Sequence, residues 1–190
     1  DLADKFNSIH RLLATLPLRL GGCGLRAASR MKEAAYWASW ADILLMMDSR
    51  CPRLAQTLCR ALEEGNSAAS SLREAAEARR KLVREGFAEC PTWEELRQGA
   101  RPPQTEATEL GEVSHGWQYC ASSTTETYYR ENVLTARLGR AHSALLHSQS
   151  GPCAGEHLTA LPLEKNLKWK PEQLKTLLLR RLRLPLQVGA

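Results

Sequence analysis

The sequence predicts an all-α protein, an irregular helical bundle with a basic C-terminal helix. Three observations carry this: apolar residues recur at helical spacing, helix start and stop signals separate those segments, and no stretch alternates apolar and polar residues as a strand would. Leu2, Phe6, Ile9 and Leu13 fall on one side of a short helix over residues 2–15. Pro17 ends it, because the residue before a proline is pushed out of the helical region. A turn holding Gly21, Gly22 and Gly24 leads into a helix over residues 25–48. There Trp37, Trp40, Ala41, Leu44 and Leu45 form one helical stripe. Between Ala34 and Met47 only Ser39 and Asp42 are polar, so the helix is apolar nearly all round and belongs in the middle of a core.

Ser49 and Pro52 open the next helix, with Leu54, Leu58 and Leu62 as its inner face and Gly65 as its stop. Ser71 with Glu74 has the form of a capping box, in which each side chain satisfies a free backbone N–H at the helix start. Glu77–Lys81 and Lys81–Glu85 pairs lace that helix, and Gly86 caps it. Thr92 with Glu95 repeats the box for a short turn ending at Gly99. Residues 99–114, with Pro102, Pro103 and three glutamates, read as an acidic linker between an N-terminal part, 1–98, and a C-terminal part, 115–190. Ser123 with Glu126 is a third box, opening a long helix to about Ser148. Its stripe is Leu134, Leu138, Ala141 and Leu145, bordered by Arg130, Arg137 and Arg140. The segment "SGPCAGEHLTALP" gives a turn and one short helix. Pro171 suits the first position of a last helix, 171–184, closed by Pro185 and striped by Leu174, Leu177, Leu178 and Leu182.

Charge is unevenly spread. The net +5 resolves into +6 from Lys165 onward, against −1 for everything before it. Residues 1–30 carry +3 and the stretch Glu89–Glu112 carries −4, so both ends are basic and the middle is acidic. This pattern points weakly to nucleic acid or another polyanion. The longest apolar run in the helix over 25–48, Ile43–Met47, is five residues, far short of a membrane span. The chain opens on Asp1 without a leader pattern and reads as a segment of a longer protein.

Several chemistries find no support. The six cysteines stand at least eight positions apart, whereas a zinc ribbon or knuckle needs ligands two to four residues apart. Reduced thiols and an intracellular setting are expected, since a helical core of this size needs no disulfide staples. The four aspartates all precede residue 49 and none are adjacent, so a two-metal nucleotidyl-transfer site is not expected. No serine sits in a G-x-S-x-G elbow. His142 and His147 are five apart, do not share a helix face, and read as solvated residues. No catalytic residue, metal ligand or cofactor site is expected.

Three features stay open between a structural and a functional reading. "GGCG" between Arg19 and Arg26 either packs backbone closely or cradles a phosphate on successive N–H groups. Trp37 and Trp40 are either core or stacking platforms for bases. Arg181 falls in the middle of the leucine stripe of the last helix. It either snorkels outward near the helix end or joins Arg180 and Arg183 in gripping a phosphate or a partner domain.

"LPLRLGGCGLRAASR…AAYWASWAD", residues 16–42, resembles the segment just after the polymerase domain of non-LTR retrotransposon reverse transcriptases, in wording most similar to retroelement proteins of dinoflagellates and related protists. "HSQSGPCAGEHLTALP" and "LLLRRLRLPL" are similar to the next landmarks of that family, in the same order. Cys23 stands where the family usually has a bulky aliphatic residue, and His157 where an aromatic is usual. The likeness covers residues 16–48 and 147–186. It implies a helical, non-catalytic thumb or connector that assists RNA or DNA template binding. The flanking polymerase and zinc/endonuclease domains of the parent chain would be partners, and no membrane is involved. Arg19, Arg26, Arg30, Arg180, Arg181 and Arg183 are then the candidate phosphate contacts. The alternative is a helical protein-interaction module whose basic helix docks on an acidic partner.

Overall fold

The computed structural model describes residues 8–103, 107, 108, 111, 112, 115–155, 158, 168–184 and 186. It is all-α apart from one minimal hairpin. The helices are α1 (Ser8–Ala14), α2 (Ala28–Arg50), α3 (Pro52–Glu64), α4 (Ser70–Arg84), α5 (Trp93–Arg97), α6 (Trp117–Tyr128), α7 (Arg140–Ser148) and α8 (Pro171–Leu182). Strands β1 (Ala107–Thr108) and β2 (Gly111–Glu112) pair antiparallel within the stretch read as a linker. The chain forms two compact units, residues 28–128 and residues 1–27 with 129–190, so the sequence's 1–98 part contributes to both.

In the unit 28–128, α2 packs against α3, α4, α5 and α6 and is the central element. Trp37 is fully buried, with its ring edge-to-face against Phe87 at 5.4 Å and Trp117 at 5.6 Å. Trp40 packs on the same core from a partly buried position. The face α2 buries is largely small: Ala34, Ala38 and Ala41 beside Trp37 and Leu44. Alanines let neighbouring helices approach closely, and the larger aliphatics are left outside. Ile43, Leu45 and Met46 are each about half exposed, against the expectation of burial all round. The same logic corrects α3. Its buried residues are Ala55, Cys59 and Leu62, while Leu54 is exposed and Leu58 only partly covered.

Local signals held where they concern the backbone. Gly65, Gly86 and Gly99 all take left-handed φ at helix ends, and Thr92 with Glu95 forms the full capping box of α5. Two other boxes do not form. Helix α4 starts at Ser70 with Ala69 as cap, so Ser71 lies inside it, its carbonyl accepting from the Tyr36 hydroxyl. Ser123 lies in mid-α6. Of the α4 pairs, Lys81–Glu85 is present at 3.8 Å, but Glu77 pairs with Arg80 and Arg84, and Lys81 reaches Glu33 of α2 at 3.1 Å.

The unit 1–27 with 129–190 has its own core of Leu13, Leu16, Leu20, Leu134 and Leu146. The expected single helix from Ser123 to Ser148 is broken. α6 gives way to a π-helical stretch over Tyr129–Leu134 and a 3₁₀ turn over Thr135–Arg137. Leu138 is extended and Gly139 caps the start of α7. The Thr135 hydroxyl donates to the Arg130 carbonyl at 2.7 Å, which fits the wider π turn. After this break the register shifts by one residue: Leu146 is buried, and Leu145 and Ala141 are exposed. α8 begins at Pro171 and ends with Arg183 in a left-handed cap, two residues short of Pro185. Leu2 and Phe6, and most of the short helix expected after Gly155, lie outside the described residues.

Candidate functional site

The glycine turn is held by its own backbone. Gly21 N–H donates to Leu18 O, Gly22 N–H to Pro17 O and Gly24 N–H to Leu16 O, all within 3.0 Å. A side chain at Gly22 would begin 2.1 Å from the Leu16 carbonyl oxygen, so nothing larger than hydrogen fits. Those N–H groups face inward and cannot converge on a phosphate. The turn is a close-packing device.

What the turn does present is carbonyl oxygen, and Arg181 takes it. Arg181 is 6% exposed; its Nε donates to Gly22 O and its Nη2 to Leu18 O at 2.9 Å. Burial lowers its pKa from the ordinary arginine value, a shift opposed by the nearby Cys23. Arg181 therefore neither snorkels nor offers itself to phosphate. It joins α8 to the glycine turn. Arg30 is likewise withdrawn from the candidate contacts. In the unit 28–128 it forms a bidentate pair with Glu126, Nε to Oε2 at 3.0 Å and Nη2 to Oε1 at 3.2 Å, with side chains 10% and 3% exposed.

The other candidates divide by exposure. Arg26 and Arg180 are exposed and Arg19 is half-buried. Arg183 is partly covered, and burial lowers its pKa. An open cleft of about 1050 Å³ is lined by the Ser148–Gly155 turn, Arg180, Arg181, Arg183 and a few leucines, with no carboxylate among its described lining residues. A smaller groove of about 380 Å³ runs along the outer side of α8, lined by Trp169, Glu172, Gln173, Thr176, Leu177 and Arg180.

Trp169 is the functional candidate that sequence reasoning missed. It is 50% exposed, while Trp37, Trp93 and Trp117 are buried. Lys168 and Lys170 flank it, both exposed. The signal was in the sequence, as the tripeptide Lys-Trp-Lys just before a Pro-initiated helix. A second missed arrangement surrounds Arg130, whose Nη2 lies 3.1 Å from His147 Nδ1 and 3.1 Å from Ser150 Oγ. His147 is thus tied to an arginine rather than merely solvated.

None of the six cysteines is joined in a disulfide. Burial pushes Cys59 and Cys90 each up to about 11, which suits structural thiols rather than nucleophiles. Among the described residues no group of three His, Cys, Asp or Glu side chains is placed to hold a metal ion. No described helix is long and apolar enough to cross a membrane. No protein-family model, curated protein or solved structure matches the chain.

Proposed function

We propose that this chain is a non-catalytic helical module that holds a single strand of RNA or DNA, in the connector role implied by its resemblance to non-LTR reverse transcriptases. The supporting observation is the groove along α8, where a half-exposed indole, Trp169, and the exposed Arg180 line one surface beside Lys168 and Lys170. A base stacks on the indole, since every base has a π-face, and the cations meet the backbone phosphates. The mode is sequence-tolerant. Arg19 and Arg26 are further candidate contacts; Arg30 and Arg181 act within the chain.

The test is fluorescence anisotropy with labelled single-stranded oligonucleotides over a range of salt. Substituting Lys168, Lys170 and Arg180 together by Gln removes three cations. The plot of log affinity against log salt then flattens by about 2 to 3, at about 0.7–0.9 per phosphate contact. W169A weakens binding by about 1–3 kcal/mol. Folded variants that keep wild-type slope and affinity would reject this reading.

A second reading, α8 docking on an acidic protein, is favoured by the exposed leucines Leu174 and Leu186 and the exposed Arg180. Replacing those two by Ser separates the readings. It leaves strand binding unchanged and abolishes docking on a protein partner.

A further inference from the structure

Arg183 stands apart from every other described residue. It alone, among the described non-glycine residues, has a positive φ, +60°, a conformation that crowds Cβ against the following carbonyl. Its Nε, Nη1 and Nη2 are all buried with no hydrogen-bond partner. A guanidinium keeps its charge in proteins and carries five N–H donors in a fixed fork. A desolvated fork with none of them used is strongly unfavourable, and pairing the fork with an anion relieves it. The side chain is part of the lining of the 1050 Å³ cleft, and the proposed site requires its fork to turn into it.

The cleft also defines the anion. Arg181 is engaged with the glycine turn, and the Ser148 and Ser150 hydroxyls donate to the Leu145 and Leu146 carbonyls. The cationic donors left are Arg183 and Arg180. On the same lining Gln149 Oε1 is buried and unpartnered, an acceptor that calls for a donor. With Oε1 placed as it is, a ligand that satisfies both brings anionic oxygens together with a proton. Hydrogen phosphate does so, and sulfate, fully ionised at neutral pH, does not.

We propose that this cleft binds one hydrogen phosphate group, free or as a terminal monoester, with Arg183 as its bidentate donor and Gln149 Oε1 accepting the P–OH proton. The internal diesters of a nucleic-acid strand lack that proton. The cleft shares Leu177 and Arg180 with the groove beside Trp169, but its phosphate contact is Arg183, and it does not depend on strand binding.

The experiment is calorimetric titration of the intact chain with inorganic phosphate, and separately with sulfate, at matched ionic strength. The expected result is saturable phosphate binding near or tighter than about 1 mM, with sulfate at least about tenfold weaker. R183Q weakens phosphate about tenfold to a hundredfold, and R183G, which suits the left-handed backbone and keeps the fold, does the same. R101Q, an equal charge change at an exposed residue of the other unit, leaves binding unchanged. The source is read by comparing inorganic phosphate with 5′-phosphorylated and 5′-hydroxyl oligonucleotides at pH 6, where the monoester holds a proton. An Arg183-dependent preference for the phosphorylated end assigns a strand terminus; binding of inorganic phosphate alone assigns a free phosphate. Equal affinity for sulfate, phosphate binding that survives R183Q and R183G, or no saturable binding at all would each overturn the proposal. Phosphate binding retained in a K168Q/K170Q variant that has lost strand binding would support the cleft as a site of its own.

Discussion

Substitution at the Arg30–Glu126 pair tests the most consequential reassignment in the molecule, that of an arginine from phosphate contact to internal ion pair. The two residues are 96 positions apart, in α2 and α6, and the side chains are 10% and 3% exposed. Replacing Glu126 by Gln leaves a guanidinium almost out of water with a neutral partner. Replacing Arg30 by Met leaves a buried carboxylate. Breaking a buried pair from one side costs about 3–5 kcal/mol, because the remaining charge keeps its desolvation penalty and loses its compensation. Removing both charges removes that penalty. The double variant R30M/E126Q is therefore expected to be no less stable than the worse single variant, with a coupling energy toward the upper end of about 0.5–3 kcal/mol. Urea unfolding followed by tryptophan fluorescence is the assay, since Trp37 and Trp117 report from the core of the same unit. Single variants within about 0.5 kcal/mol of wild type would refute the reasoning, because changes that small are typical of solvated surface sites. A fall in strand affinity in R30M at unchanged stability would restore Arg30 to the phosphate contacts.

Trp37→Ala empties a fully buried site in contact with two aromatic rings and should cost about 3–5 kcal/mol, whereas W37F should be milder than ring size alone suggests, because it also removes an indole N–H buried without a partner; denaturant melts giving equal losses would contradict this. R181M keeps the buried stem but strips both donors from the glycine turn, so it should lower stability by about 2–3 kcal/mol without changing the salt slope of strand binding; a flatter slope would place Arg181 on phosphate after all. Cys59 and Cys90, each pushed up to about 11 by burial, stay protonated in the folded chain after the unfolded chain has ionised. Their stabilisation is complete below about pH 8.5 and is lost as pH rises toward 11, by roughly 2–3 kcal/mol each, and C59A should flatten this alkaline decline. In the native state a thiol reagent at pH 8 should modify the exposed Cys51 and Cys153 first and leave Cys59 unmodified; early reaction at Cys59 would refute its burial.

What the sequence by itself determined lies within one or two helical turns. Gly65, Gly86 and Gly99 mark helix ends because a left-handed residue is a property of a single backbone position. Thr92 and Glu95 close a capping box because all its atoms lie within four residues. Trp37 is core because it shares a helical stripe with Ala41 and Leu44, a relation that spacing along one helix sets. The sequence did not decide which stripe of an amphipathic helix would be covered. α3 offered leucines at 54, 58 and 62, yet the neighbouring helices cover Ala55 and Cys59, where small side chains permit closer packing. Nor could it choose a role for an arginine. Arg30, Arg181 and Arg183 look alike in composition and charge. One pairs with a carboxylate 96 residues away, one with carbonyls 159 and 163 residues away, and one is buried with its donors unpaired. A guanidinium is long, always charged and able to meet carboxylate, carbonyl or phosphate equally well. Its partner is set by whichever group the folded chain brings within reach, and that is a property of tertiary structure alone.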